Sequence, residues 1–284
     1  MKIETKIKFA PLALLSVGAA WGLSFVIMKG PINRQEVNSF LATRFLLAVI
    51  LMIAIRPTII KKLNWEMTKN GAFAGLFLGT GYIFQTFGLK NTGAAITGFI
   101  TGLYVVTTPL LAAIFLRHRI KITTWGCVAL ATIGLGILSL HGWSIGYGEF
   151  LVFCSAIAFG AHFVVLSQVS RNYDSYPLTI IQLATVSLLC FLISFKSGYQ
   201  APPDKMVWVV IFFTAIFSSA LAFILQTWAQ SHMSPTKAAV ILTLETPFAA
   251  IFAVLFGNES LSIRTLLGGG LMLLAMYLIV IFET

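Results

Sequence analysis

The chain has 284 residues, of which 58% are hydrophobic and only 10% charged, with a mean hydropathy of +0.92. A soluble domain is far richer in charge, so this composition excludes one and points to a polytopic membrane protein. The net charge of +10 is scattered between apolar runs rather than gathered on one face, which excludes a nucleic-acid-binding surface and reads as a topology signal.

The basic start, Met1 to Lys8, leads into an apolar run that is too long for a signal-peptide core, so it reads as a first helix. Apolar spans are expected at 9–28, 39–55, 71–88, 95–116, 124–140, 148–168, 178–195, 206–228, 236–256 and 265–282. Their length excludes a β-barrel, whose strands would alternate over about ten residues. The expected fold class is therefore an all-α polytopic membrane protein with ten transmembrane helices. Its loops are short and leave no room for a soluble domain. Apart from Arg44, twelve Lys and Arg fall in loops on one side and six on the other, which puts both termini in the cytoplasm. Cys127, Cys154 and Cys190 lie inside apolar runs without metal-ligand spacing and read as small buried hydrophobes.

The halves repeat. At an offset of 138, Ala20, Gly22, Phe25 and Val26 match Ala158, Gly160, Phe163 and Val164, with Trp21 against Phe159. At 141, Gln85-Thr86-Phe87 matches Gln226-Thr227-Trp228, with Tyr82 against Phe223. The offset returns to 138 where Thr107-Thr108-Pro109 meets Glu245-Thr246-Pro247 and Ala112 meets Ala250. Residues 1–142 and 143–284 thus read as two five-helix repeats. Five is odd, so the second is inverted relative to the first. Inverted repeats characterise transporter folds, in which one half rocks against the other around a midplane site.

Several motifs carry a resemblance. Trp21-Gly22-x-x-Phe25, Arg44-Phe45, Gly102-Leu103-Tyr104-Val105-Val106 leading to Pro109, Gly148-Glu149 and Leu244-Glu245-Thr246-Pro247 resemble the EamA family of the drug/metabolite transporter superfamily. The likeness implies ten helices in two inverted repeats and export of a metabolite across the bacterial cytoplasmic membrane. It also implies that helices one, three, four, six, eight and nine line a central cavity while five and ten lie outside. One departure is Arg117-His118-Arg119, where the family often has Gly-Glu, as Gly257-Asn258-Glu259 approximates in the second half.

Glu245 is the leading site candidate, because an acid at that depth costs about 3 kcal/mol and must face protein or water. It reads as a proton-coupling group or a partner for a substrate amine. The structural alternative is a carboxylate satisfied by a neighbouring hydroxyl or by Arg44. Pro109 and Pro247 read as hinges, since each removes a helix hydrogen bond. Gln85 with Tyr82 and Gln226 with Phe223 pair an amide with an aromatic one turn away, suited to a polar or zwitterionic solute, or alternatively to hydrogen bonding between helices. Trp21 and Ser24 mirror Phe159 and His162, and Thr101 with Tyr104 adds hydroxyls to the same wall. A lone His is more often hydrogen-bonded to a neighbour than functional. Arg44, about one turn inside helix two, is expected to snorkel to headgroups as an anchor, with substrate binding as the alternative. Glu149 reads as a helix cap. The stripes Gly71, Gly75, Gly79 and Gly98, Gly102 read as packing seams.

No zinc motif, acid pair or nucleotide-binding motif is present, which argues against an enzyme, a metal, a cofactor or ATP drive. The expectation is a secondary transporter exporting amino acids or related metabolites, with a small-molecule substrate, lipid and protons as partners, working as a monomer or weak homo-oligomer. An importer or exchanger on the same fold, or a non-transporting scaffold, are the alternatives.

Overall fold

The computed structural model describes residues 3–116, 122–141 and 144–283. Arg117-His118-Arg119 and the repeat boundary at 142–143 lie outside them. The chain is helical almost throughout. In order it forms α1 (Ile3–Arg34), α2 (Val37–Ile55), a 3₁₀ turn (Pro57–Lys62), α3 (Trp65–Asn91), α4 (Ala94–Thr101), α5 (Tyr104–Leu116) and α6 (Ile122–Ser139). A two-residue antiparallel ladder pairs β1 (Leu140–His141) with β2 (Ser144–Ile145). Then come α7 (Tyr147–Val169), α8 (Ser175–Ser197), α9 (Lys205–Phe213), a π-helical stretch (Thr214–Leu221), α10 (Ala222–Gln230), α11 (Pro235–Leu242), α12 (Glu245–Phe256) and α13 (Ile263–Glu283).

Among the described residues, eight spans are long and apolar enough to cross a membrane: Phe9–Arg34, Val37–Ile55, Trp65–Asn91, Ala94–Phe115, Tyr147–Val169, Ser175–Lys196, Lys205–Gln230 and Pro235–Phe256. The expected fifth and tenth spans appear as shorter apolar stretches, Trp125–Leu138 and Ile263–Leu278. Helix is the form such segments must take, because lipid offers the backbone no hydrogen bonds. The loops supply the start signals. Glu36 accepts from the backbone of Asn38 and Ser39, Asn64 from Met67, Asp204 from Val207 and Ser234 from Lys237. α1 runs six residues past its expected end, to Arg34, so the first loop is very short.

The fourth and ninth spans, expected as single helices, are each broken. α4 stops at Thr101 and α5 resumes at Tyr104; α11 stops at Leu242 and α12 resumes at Glu245. The second break falls where Pro247 dictates. Proline cannot bond the carbonyl four residues back, so Thr243 receives the Thr246 amide instead, at 2.9 Å. Pro109 lies farther along α5, and the first break sits at Gly102.

The main packing joins elements on either side of residue 142. α3 lies on α7 and α8, α2 on α8 and the π stretch, α1 on α10 and α12, α4 on α12, and α5 on α7. α6 and α13 pack chiefly on each other, away from the centre. Close approach needs glycine at the crossings. A Cβ at Gly22 would stand 2.8 Å from the Ala249 nitrogen, and one at Gly75 would stand 2.9 Å from the Gln182 carbonyl. The outside is apolar, as on α8, where Leu188, Leu192 and Phe195 are exposed by 60%, 61% and 84%. Faces of that kind need lipid or another apolar cover.

Candidate functional site

Helical spacing gathers one face of each central helix. Trp21, Ser24, Phe25 and Met28 of α1 follow the i, i+3, i+4, i+7 pattern, and Leu78, Tyr82, Gln85 and Leu89 of α3 share a face at i, i+4, i+7, i+11. With Arg44 of α2, Thr101 of α4, Tyr104 of α5, Phe159, His162 and Phe163 of α7, Phe223 and Gln226 of α10 and Glu245 of α12, they surround one cavity. The cavity volume is about 40 Å³. The lining is tight: Tyr104, His162, Gln226 and Glu245 are each 3% exposed or less.

All ten expected pathway and coupling residues, Trp21, Ser24, Tyr82, Gln85, Thr101, Tyr104, His162, Phe223, Gln226 and Glu245, therefore face one space. Pro109 and Pro247 do not line it. The aromatics form a connected cluster in which Tyr82 meets Phe159 and Phe223 edge-on at 5.5 and 6.0 Å, and Trp21 lies 5.3 Å from Phe223. Trp21 Nε1 donates to the Ser218 carbonyl at 2.9 Å, and Ser24 shares a 2.6 Å bond with Ser218 Oγ. Gln85 donates to Thr101 Oγ1 at 3.1 Å, whereas Gln226 Oε1 and Thr86 Oγ1 are buried without a hydrogen-bond partner. His162 Nε2 lies 2.8 Å from Gln182 Oε1, the structural role a helix histidine commonly takes.

Glu245 receives the Tyr104 hydroxyl at 3.4 Å, so a neighbouring hydroxyl, not Arg44, is its partner. Arg44 itself overturns its expected role. It lies seven residues into α2, about 10 Å from the helix start, and is 1% exposed. Instead of snorkelling it turns inward, because Phe45 and Tyr82 offer ring faces 5.1 and 5.3 Å away and the π stretch offers oxygens. Its Nε donates to Ser219 Oγ at 2.9 Å. Sequence spacing does not bring Ser218 and Ser219 to the site. Their only sequence signal is a pair of hydroxyls inside an apolar run, and the π geometry that aims them inward has no compositional mark.

One end of the bundle is tied by acids. Glu259 accepts from the Ala94 and Ala95 amides at 2.7 and 3.2 Å, and Lys29 donates to the Thr92 carbonyl. Glu149, expected only as a cap in the first turn of α7, also accepts from Thr92 Oγ1 at 3.2 Å. Among the described residues, no group of three or more His, Cys, Asp or Glu is placed to hold a metal ion.

Comparison with known proteins gives consistent matches along the chain. The model of the EamA-like transporter family matches twice, over residues 8–140 and 146–281. An uncharacterized transporter of Archaeoglobus fulgidus is 30% identical over 95% of this chain and 85% of its own length. A WAT1-related protein of Arabidopsis thaliana is 23% identical over 94% of this chain and 82% of its own. A probable terminal-alkyne amino-acid exporter of Streptantibioticus cattleyicolor is 22% identical over 94% and 91%. A solved crystal structure superposes with a TM-score of 0.72 at 14% identity, covering 97% of both chains, which is a likeness of fold.

Proposed function

The chain belongs to the EamA-like transporter family, and we propose that it is a secondary transporter exporting small organic metabolites, amino acids or related compounds, by alternating access. The observation that carries this reading is the largely apolar cavity lined from both halves of the chain, with Glu245 among a few polar groups in its wall. The chain is a multi-pass membrane protein with eight long apolar spans among the described residues; in this reading the shorter α6 and α13 complete ten crossings and both termini are cytoplasmic, as the charge bias favours. Amino acids are favoured because one relative over nearly the full length is named as an amino-acid exporter.

The packing supports an inverted repeat. The pairing of α1 with α12 has its counterpart in α7 with α4 and α5, that of α1 with α10 in α7 with α3, and that of α3 with α8 in α2 with the π stretch. A two-fold axis in the membrane plane would relate these pairs. Because the halves interlock, the moving bodies are bundles that mix helices from both, rather than one half rocking on the other. The breaks at 102–103 and 243–244 give those bundles places to bend, with Pro247 one turn from the second.

Glu245 is the proton-coupling group in this reading. One charge moved across 100 mV supplies about 2.3 kcal/mol, roughly a fifty-fold solute gradient. Flux of labelled metabolites into and out of proteoliposomes, with and without a pH gradient, tests the proposal. Saturable flux of one solute class is the expected result. Folded protein that moves nothing in a broad panel would overturn it.

A further inference from the structure

Arg44 is a cation without an anion. A guanidinium has five N–H donors, and those of Arg44 meet uncharged partners: Ser219 Oγ at 2.9 Å, Met28 Sδ at 3.1 Å, the Ser218 carbonyl at 3.4 Å and the Tyr82 side chain. Sulfur is a weak acceptor and the carbonyl bond is long. Among the described residues the ion pairs are Arg34 with Asp204 and Lys62 with Asp174, so no carboxylate pairs with Arg44. An anchor at this depth would ordinarily be pinned by strong acceptors, because an uncompensated buried charge is expensive.

The same cavity carries the complement. Glu245 has one long bond, from Tyr104, and no cation pairs with it among the described residues. Tyr82, whose ring lies 5.3 Å from the Arg44 guanidinium, lines the same cavity as Glu245. The cavity thus holds a cation, a carboxylate and an aromatic cluster of Trp21, Tyr82, Phe159 and Phe223, with unpartnered polar atoms on Thr86 and Gln226. A guanidinium and a carboxyl group that line one space without pairing with each other match the two ends of a zwitterion.

Resting on the transport reading above, we infer that Arg44 recognises the carboxylate of a zwitterionic substrate while Glu245 faces its ammonium group. The carboxylate accepts from the two terminal nitrogens of Arg44, replacing the poor sulfur contact with charge-assisted bonds. The planar guanidinium fork suits this task in a way a lysine does not. The aromatic cluster then takes the apolar part of the solute. The substrate class is defined by two charged groups together: amines without a carboxylate, and acids without an amine, satisfy one wall and leave the other unpaired.

The full-length protein in proteoliposomes is offered labelled L-phenylalanine, L-leucine and L-threonine, each beside its decarboxylated amine and its deaminated acid. A wider set of sugars, nucleosides and neutral drugs is included. The expected result is preference for a zwitterion over both analogues by about 10- to 100-fold. In Arg44→Gln the preference over the amine collapses by a similar factor, and Arg44→Lys restores part of it. Flux of other solutes with no preference for the doubly charged form overturns the inference and leaves the transport reading standing. No flux of any solute, from protein that still unfolds cooperatively, overturns both. Proportional loss for all solutes in Arg44→Gln makes Arg44 structural and overturns its recognition role. Should Arg44→Gln fail to fold, Arg44→Lys and ligand-induced stabilisation of the wild type against heat carry the decision. Equal stabilisation by zwitterion and amine is then the overturning result.

Discussion

The Tyr104 hydroxyl reaches the Glu245 carboxylate across 3.4 Å, and each residue opens a helix that resumes after a break. They stand 141 positions apart, the same spacing as Gln85 from Gln226 and Tyr82 from Phe223. Residue matching sets Glu245 against Thr107, at 138; the breaks set it against Tyr104. A shift of three residues is nearly one helical turn and keeps the same face, so side-chain patterns alone do not distinguish the two.

Glu245→Gln is expected to retain folding and lose the response of flux to a pH gradient, measured in proteoliposomes. Tyr104→Phe keeps the carboxylate but removes its donor. It should move the midpoint of that response without abolishing it, and raise KM by roughly three- to tenfold. An unchanged pH response in Glu245→Gln would remove the proton role and leave facilitated diffusion.

Gly22→Val should separate α1 from α12, since the added Cβ would meet the Ala249 nitrogen at 2.8 Å and Phe248 Cβ at 2.9 Å. Overpacking of this kind costs about 1–3 kcal/mol. Thermal unfolding in detergent reads the loss, and flux should fall with it because the same contact holds the backbone of Glu245. Gly134→Val, in the α6–α13 seam where a Cβ meets the Gly268 carbonyl at 2.8 Å, should lower stability with no change in KM.

Glu36 lies in the loop before α2. Partial burial raises its pKa, but hydrogen bonds from Asn38 and Ser39 outweigh that and hold it below the usual 4.5. A depressed carboxylate stabilises the fold fully above its unfolded-state value and loses that contribution as pH falls through the folded one. Glu36→Ala should therefore cost about 1 kcal/mol at neutral pH as a lost cap. The gap from wild type should close progressively below about pH 4.5 in unfolding measurements across pH.

His162 and Gln182 form a buried pair at 2.8 Å. Replacing either with Leu strands the other and should cost about 1–3 kcal/mol, whereas the double replacement should recover much of the loss. A double-mutant cycle on unfolding measures the coupling. Near-zero coupling would mean that His162 makes its important contact elsewhere, in the cavity it also lines.

Much of this protein is legible in its residues. Long apolar runs oblige a chain in lipid to form helices, and polar side chains placed one turn apart inside such runs have to face each other. Spacing and the repeat therefore single out Trp21, Gln85, Gln226 and Glu245 as candidates, and the family resemblance implies that their helices line one cavity. Partnership is what spacing does not convey. Arg44 reads as a lipid-anchored cation because the apolar run suggests a helix start at 39, two residues after α2 actually begins. The acceptor that draws it inward, Ser219, lies 175 positions away. The break at Leu242 is marked by Pro247, but the break at Thr101 and the π stretch at Thr214–Leu221 are not signalled by a proline at the same place. Sequence by itself determined the helical class, the spans and the face each turns to the centre, since those follow from hydrophobicity and a fixed period. Tertiary structure alone decided which charges pair and which are left open, because that depends on distances between helices that no residue spacing encodes.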